Sequence, residues 1–471
     1  MEQEYFEQRL KKITELREKG INAFPKRFVK TFNVDEILAN FKENTSVKVA
    51  GRLTAIREHG KSNFCDLKDQ SGRIQLYIAD NILPQEDLFV FKHIDIGDII
   101  GVEGELFKTR REEPTIKVTR LFLLTKSLRP LPEKWHGLKD IETRYRQRYL
   151  DLIANVDSKK IFLMRSKIVA SIRNFLDSKG YLEVETPMLH PMAGGAAGQP
   201  FKTYHNALNA TLYMRIAPEL YLKRLLVGGF EKIYELNRSF RNEGISVRHN
   251  PEFTMLEVYT AYVGLEETMQ LTKDIIMNAA KTVSENLEFN FQERVINLNK
   301  WETVSFANIM KKNFDINPEE NSSVWIEKLK KKGIKLESDK LSRTQILKII
   351  EEQIDAELGN NPVFVVDMFT ELCPLSKTKD DNRLLSDRFE LFLGGMEVAN
   401  AYSELNNPIE QRERLLQQSQ GKEIDEDFVK ALEHGMPPAG GLGIGVDRLT
   451  MILTNSPSIR DVVLFPQLKS E

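Results

Sequence analysis

Apolar positions in the first twenty residues, MEQEYFEQRLKKITELREKG, recur at helical spacing. Leu10, Ile13 and Leu16 fall on one face, and Gly20 ends the run. From Val47 the period drops to two. VKVAGRLTAIREHGKSNFCDLKDQSGRIQLYIAD alternates apolar and polar positions, with turn residues at HGKSN and DQSG, and predicts three strands. IGDIIGVEGELFKTRREEPTIKVTRLFLLTKSL predicts two more, with a helical segment, DLFVFKHI, ahead of the fourth. Five short strands and one helix predict a small Greek-key barrel. The pattern alone suits an oligonucleotide-binding barrel and a barrel with no nucleic-acid role equally well. RPLPEKWHGLKD, punctuated by Pro and Gly, reads as a connector, which places one domain over 1–135 and a second over 136–471.

The second part of the chain mixes both periods. IETRYRQRYLDLIAN predicts one helix, and SKKIFLMRSKIVASIRNFLDSKG a longer one ending at Gly180. YLEVETPML is an extended segment that runs into Pro187. Residues 265–360 are rich in Lys and Glu, helix-like, and carry no obvious chemistry. They read as a helical insertion. PVFVVDM, DRFELFLGG and MEVANAYSEL then predict strands, and GGLGIGVDRL a glycine turn into a helix. Strands in hairpins and meanders, separated by helices, predict an α+β domain without regular βαβ alternation. GLGIG lacks the βαβ setting and the acidic partner that a dinucleotide site needs.

Composition narrows the class. A chain of 471 residues exceeds one ordinary core, so two or three domains are expected. With 41% hydrophobic and 29% charged residues it reads as a soluble globular protein. No apolar run reaches the ~18 residues of a membrane span. The first residues lack the apolar stretch of a secretory signal, so a cytoplasmic location is expected. Cys65 and Cys373 form no CxxC pair, which argues against zinc and against a disulfide framework. The net charge of -2 announces no polyanion partner. The first 150 residues hold 28 basic against 23 acidic side chains, a weak asymmetry that ordinary surface variation also produces.

The candidate chemistry concentrates in RNEGISVRHNPEFT, residues 241–254, between the apolar strands YELNRSF and LEVYTAY. Arg241 offers a rigid fork for a phosphate or carboxylate. Phe253 can stack on a flat base, Glu243 can accept from an exocyclic amine, and Arg248 and His249 can reach outer phosphates. Adenine with a triphosphate would use every one of these groups. A solvated hairpin tip with internal ion pairs would account for them as well. Arg448, in GGLGIGVDRLTMIL, adds a second anchored arginine.

The pieces FLDSKGYLEVETPML, RNEGISVRHNPEFT and GGLGIGVDRL, in this order, resemble the three motifs of class II aminoacyl-tRNA synthetases. AGGAAGQPFKTYHNAL, MRIAPELYLKRLLVGGFEKIYELNRSFRNEGISVRHNPEFTMLE, RFELFLGGMEVANAYSELN and GIGVDRLTMILTNSPSIRDVVLFPQLK narrow the resemblance to the lysyl-tRNA synthetases. GKSNF, SGRIQLY and LRPLPEKWHGL extend it over nearly the whole chain. The resemblance implies an OB-fold barrel followed by a catalytic domain built on an antiparallel sheet flanked by helices. It implies that Arg241 contacts the α-phosphate and the lysine carboxylate. Phe253 and Arg448 would sandwich the adenine, and Glu243, Arg248, His249 and Asn250 would line a bent ATP. Glu390 and Glu397 would bind Mg2+, whose taste for hard oxygen ligands they suit. L-lysine would lie among Gly195, Glu219, Glu257, Tyr259, Asn400, Tyr402 and Glu404. Its two ammonium groups need buried anionic partners, Glu219 for one and Glu404 with Tyr259 for the other. In the barrel, Arg57, Phe64, Gln75 and Glu113 would read the anticodon of tRNA(Lys), an aromatic stacking a base while polar groups read its edges.

Each of these residues has a plainer reading too: Glu257 and Tyr259 as an exposed strand face, Glu390 on the wet side of a core strand, Phe64 as a core aromatic. ANAYSELN departs from the common bacterial pattern, with Ala401 and Tyr402 where Gly and Phe are usual. The resemblance further implies a homodimer and no membrane. An aspartyl or asparaginyl enzyme would want cationic or amide donors in place of Glu219, Glu257 and Glu404. A relative that lysylates protein would lack the barrel. An inactive relative would have lost Arg241, Arg448, Glu390 or Glu397. Dinucleoside polyphosphate synthesis would be a side activity, since ATP can attack lysyl-adenylate.

Overall fold

The computed structural model describes residues 2–469 except 61, 132–137, 197, 337, 339, 355–357 and 420–422. The expected boundary at 135/136 and most of the connector lie outside the described residues. The chain divides into two compact units, residues 1–139 and 140–471. Among the described residues no helix is long and apolar enough to cross a membrane.

The first unit is a closed barrel of β1 (Ser46–His59), β2 (Ser62–Lys68), β3 (Arg73–Ala79), β4 (Ile99–Lys108) and β5 (Pro114–Thr125), in the order β1-β2-β3-β5-β4. Period two sends Leu67, Ile74, Leu76, Ile78 and Val102 inward, and a helix, Gln85–His93, precedes β4. The N-terminal helix, Glu2–Glu18, differs from the expected face. It buries Arg9, Ile13 and Leu16, whereas Leu10 is 41% exposed. Arg9 takes the inward position because the carbonyls of Ser127, Arg129 and Ile96 accept from its guanidinium at 2.8–3.2 Å.

The second unit is organised on an eight-stranded sheet. Its strands are β6 (Leu182–Glu183), then, after a small sheet of β7 (Leu189–His190), β8 (Lys202–His205) and β9 (Ala210–Met214), β10 (Lys232–Phe240) and β11 (Glu252–Ala261). A separate hairpin, β12 (Glu288–Phe291) and β13 (Arg294–Asn297), precedes β14 (Glu302–Ser305), β15 (Val363–Val366), β16 (Arg388–Leu393), β17 (Met396–Ser403) and β18 (Ala439–Gly445). The order is β14-β15-β16-β17-β18-β11-β10-β6. The six central strands pair antiparallel, and only the edges, β6 with β10 and β14 with β15, pair parallel.

Three local expectations are corrected. IETRYRQRYLDLIAN is two helices, Ile141–Arg146 and Arg148–Ala154, broken at Gln147 (φ -113, ψ 56). The break lets Arg148 bury itself, pair with Asp151 at 2.7 Å and donate to the Leu464 and Arg460 carbonyls. The 265–360 segment is not uniformly helical. It supplies the β12–β13 hairpin and the edge strand β14, and its first helix, Leu265–Lys281, packs Ile275, Ile276 and Ala279 into the main core. GGLGIG is a central strand instead of a turn. Ile168, Ile172 and Leu176 from the helix Val156–Ser178 join that core beneath Leu256, Val258, Ala399, Ala401, Leu442 and Ile444, so alternate residues of β11, β17 and β18 face the other way.

Candidate functional site

The other face of the sheet carries the candidate residues in cross-strand rows. One row runs Glu235 (β10), Glu257 (β11), Gly443 (β18), Asn400 (β17), Glu390 (β16). The next runs Tyr259, Gly441, Tyr402, Arg388. Residues far apart in sequence become neighbours because register is fixed by the apolar face beneath them. The glycines of β18 are the low points of this surface. A Cβ on Gly441 would stand 1.7 Å from Glu404 Oε1 and 2.8 Å from Tyr259 Cε1. Glycine there leaves room for both side chains to converge.

Three carboxylates gather in one buried pocket. Glu219 opens the helix Glu219–Val227, Glu257 lies on β11, and Glu404 follows β17. They are 6%, 6% and 1% exposed. Tyr259 Oη donates to Glu257 Oε2 at 3.1 Å, and Tyr402 Oη donates to Glu219 Oε1 at 2.7 Å. The hydroxyl that Tyr402 adds thus has a defined partner. Burial, then the Glu219 charge, pushes the Glu257 carboxyl up to about 8. Burial lifts Glu404 to about 8 as well, against the pull of Lys223. Gly195, at φ +87, abuts Ala217 and Glu219 and brings its loop backbone to the pocket mouth. Lys223, absent from the sequence reading, pairs with Glu219 at 2.7 Å and with Glu404. The signal was available: a lysine four residues after Glu219, one turn along the same face of the helix.

The loop 241–251 joins β10 to β11 as an antiparallel hairpin, with Phe240 opposite Glu252. It is tied to its base by Arg241 N–H to the Pro251 carbonyl at 2.8 Å, and to the Gly195 loop by Asn242 N–H to the Gln199 carbonyl at 2.7 Å. The Arg241 guanidinium lies 5.2 Å from the Phe253 ring centroid, and its Nε is buried without a hydrogen-bond partner. Asn250 Nδ2 donates to the Glu252 carbonyl, while its Oδ1 is also buried and unpartnered. Glu243 and Arg241 both border the position where Gly198 would carry a Cβ, at 3.3 and 3.4 Å. Arg448, at the start of the helix after β18, donates to the Glu397 carbonyl and carboxylate at 2.8 and 3.2 Å and bonds His249 Nε2 at 3.0 Å. His249 Nδ1 in turn lies 2.9 Å from Ser246 Oγ, and the Arg248 N–H donates to the same hydroxyl at 3.1 Å.

Glu390 is 5% exposed. Burial lifts its carboxyl well above the usual range, and the Arg388 guanidinium paired with it offsets part of that. A register shift in β17 inserts Val398 between the pairs Leu391–Ala399 and Phe392–Glu397. Both Val398 and Ala399 enter the core, so Glu397 returns to the face that holds Glu390. Arg388, also missed in the sequence, donates to Asn400 Oδ1 at 3.0 Å and reaches Glu351 at 3.4 Å. Glu351 lies on the helix Arg343–Gln353, so the 265–360 segment does contribute a charged group here. Among the described residues no three His, Cys, Asp or Glu side chains form a metal cage. Glu390 and Glu397 are each paired with an arginine, Arg388 and Arg448; two carboxylates suit a cation that brings phosphate and water ligands of its own, the usual habit of Mg2+.

On the barrel, Arg57, Phe64, Gln75 and Glu113 lie on one face of β1, β2, β3 and the β4–β5 loop. Arg57 holds Asp66 through two bonds of 3.1 and 2.7 Å. Gln75 donates to Glu113 Oε2 at 3.0 Å, and Arg73 bridges Asp66 and Glu113 at 3.1 Å each. Burial would raise the Asp66 pKa, but the two arginines hold it below the usual range. Phe64, Tyr77 and Phe107 form a ladder with centroids 5.3 and 5.9 Å apart. Asp66, Arg73, Tyr77 and Phe107 escaped the sequence reading, because alternation marks a face without saying which polar residues meet on it.

The chain matches the family model of class II tRNA synthetases (D, K and N) over residues 140–469, and that of OB-fold nucleic acid binding domains over 47–124. Barrel, sheet and arginine-bearing hairpin together are those of a class II tRNA synthetase. Within that class it is 50% identical to a lysine–tRNA ligase of Carboxydothermus hydrogenoformans, over 98% of this chain and 97% of the relative. It is 47% identical to that of Clostridium tetani, over 99% and 97%, and 46% identical to that of Bacillus cytotoxicus, over 98% and 96%. The chain belongs to the lysine–tRNA ligase family.

Proposed function

We propose that this chain activates L-lysine with ATP to lysyl-adenylate and pyrophosphate, and then transfers lysine to the 3′ end of tRNA(Lys). The observation that carries the substrate choice is the convergence of Glu219, Glu257 and Glu404 in one buried pocket beside the arginine hairpin. An amino acid with two ammonium groups suits such a pocket. Aspartate or asparagine brings only one ammonium and would set its side-chain carboxylate or amide against buried acidic groups that want a second.

The reaction asks the protein to position and to neutralise charge. The lysine carboxylate attacks the α-phosphorus, and the bond to pyrophosphate breaks. Arg241 would bear the charge gathering on the α-phosphoryl oxygens, a role its buried, unpartnered Nε supports. Arg448 and Phe253 would hold the adenine between them, Arg448 leaving its present contacts with Glu397 and His249 to do so. Glu243, Arg248, His249 and Asn250 line the nucleotide. Glu390 and Glu397 would hold Mg2+, which would neutralise phosphate charge when bound. In the second step the tRNA 3′-hydroxyl attacks the mixed anhydride, and AMP leaves. Arg57, Phe64, Gln75 and Glu113 would engage the anticodon.

The reading includes a homodimer. A groove of about 690 Å³ between the helix Val156–Ser178 and residues 462–467, with exposed Leu464 and Phe465 at its rim, supports that part. Sedimentation at micromolar concentration tests it. A cytoplasmic site of action follows from the tRNA partner. ATP–pyrophosphate exchange with each of the twenty amino acids tests the central claim: exchange with lysine alone is expected, and exchange with aspartate or asparagine would overturn it.

A further inference from the structure

One cation lies inside the acidic pocket. Lys223 is one helical turn beyond Glu219, and its side chain is 0% exposed. Its ammonium pairs with Glu219 Oε1 at 2.7 Å and with Glu404 Oε2, and lies 5.5 Å from the Tyr402 ring centroid. Burying an ammonium costs several kcal/mol unless close partners return it. Leu222 and Leu226 on the same helix show that an apolar side chain is buried here without that cost. A generic counter-ion would engage the carboxylates through whichever oxygens are near. The contacts are more specific. Lys223 and the Tyr402 hydroxyl both take Oε1 of Glu219. On Glu404 both oxygens are buried with no hydrogen-bond partner: Oε2 meets the Lys223 ammonium as an ion pair, and Oε1, above Gly441, meets no donor. A buried carboxylate oxygen without a donor is costly, and a donor on a ligand would complete it.

We propose that Lys223 is a positioning residue of the amino-acid pocket: it grips Glu219 and Glu404 by one oxygen each, and so fixes the spacing and direction in which they meet the two ammonium groups of the substrate. It also sets the charge. Once ligand ammonium groups draw all three carboxyls into their ionised form, the one fixed ammonium leaves an excess of two that the substrate's two ammonium groups match. An amino acid with one ammonium leaves Glu404 Oε1 unpaired and is discriminated against. The inference rests on the lysine reading of this pocket.

The test is lysine-dependent ATP–pyrophosphate exchange by the full chain and its Lys223→Met and Lys223→Arg variants, with KM for lysine and for ATP measured separately. Loss of one oriented charged contact predicts a rise in lysine KM of at least about tenfold for Lys223→Met. ATP KM should stay within about twofold, and Lys223→Arg, which keeps the charge, should recover part of the loss. A lysine KM within about twofold of the parent, or parallel rises in both KM values, overturns the proposal. If Lys223→Met does not fold, Lys223→Gln takes its place, and equal lysine KM values for the Gln and Arg variants overturn it. Failure of the underlying reading looks different: the parent itself then shows no exchange with lysine.

Discussion

Glu257→Gln should make the empty protein more stable while it damages the site. Glu257 is buried, and its carboxyl is raised from 4.5 to about 8 by burial first and by Glu219 second. A raised carboxyl holds its proton more tightly in the folded state. Its contribution to stability is therefore intact below the unfolded pKa and is lost as pH climbs toward the folded one. At pH 7 the loss spans about 2.5 pH units, or about 3 kcal/mol at roughly 1.4 kcal/mol per unit. Glutamine keeps the shape and an oxygen to accept from Tyr259 Oη, 3.1 Å away in the parent, but it cannot titrate. The variant is expected to gain up to about 3 kcal/mol at pH 7, somewhat more at pH 8, and almost nothing near pH 4.5. For a unit of this size that is a rise in Tm of about 4 °C at pH 7. Scanning calorimetry of both proteins without ligand, from pH 5 to 8.5, measures it. The same variant should lose lysine affinity, since it removes a carboxylate that faces the pocket. A Gln protein less stable than the parent at pH 8, or an offset equal at pH 5 and pH 8, refutes the reasoning.

Other expectations follow from the same geometry. Arg241→Ala should lower lysine-dependent exchange by roughly 10²–10³-fold with little change in Tm, as expected for loss of one transition-state donor; near-normal exchange would contradict its role. Gly441→Ala drives a methyl group into Glu404 Oε1 and the Tyr259 ring. It should cost about 1–3 kcal/mol of stability and most of the lysine affinity, and isothermal calorimetry with lysine would expose a mistaken contact if binding were unchanged. Phe64→Ala should raise the KM for tRNA(Lys) by about 5- to 100-fold, the worth of one stacked base, and leave amino-acid exchange intact; an equal loss in exchange would count against an anticodon role.

What the sequence determined by itself is what is local or periodic. Alternation over 47–125 settled the barrel strands, since a residue two places along a strand always returns to the same face. The run of charge between two apolar strands marked the 241–254 hairpin, and the motif resemblance named most of the pocket. Tertiary structure decided what depends on register and on neighbours from afar. Helical periodicity could not choose between Leu10 and Arg9, because three backbone carbonyls from distant segments selected the arginine. The glycines of β18 looked like a turn, and became a strand because β11 and β17 pair with them on both sides; at Gly441, Glu404 and Tyr259 occupy the space a Cβ would need. An inserted residue at Val398 put Glu397 on the site face against strict alternation. Lys223, Arg388 and Glu351 entered the site for the same reason: each meets an oppositely charged group supplied from another element, and only the packed sheet and its covering helices bring those groups within reach.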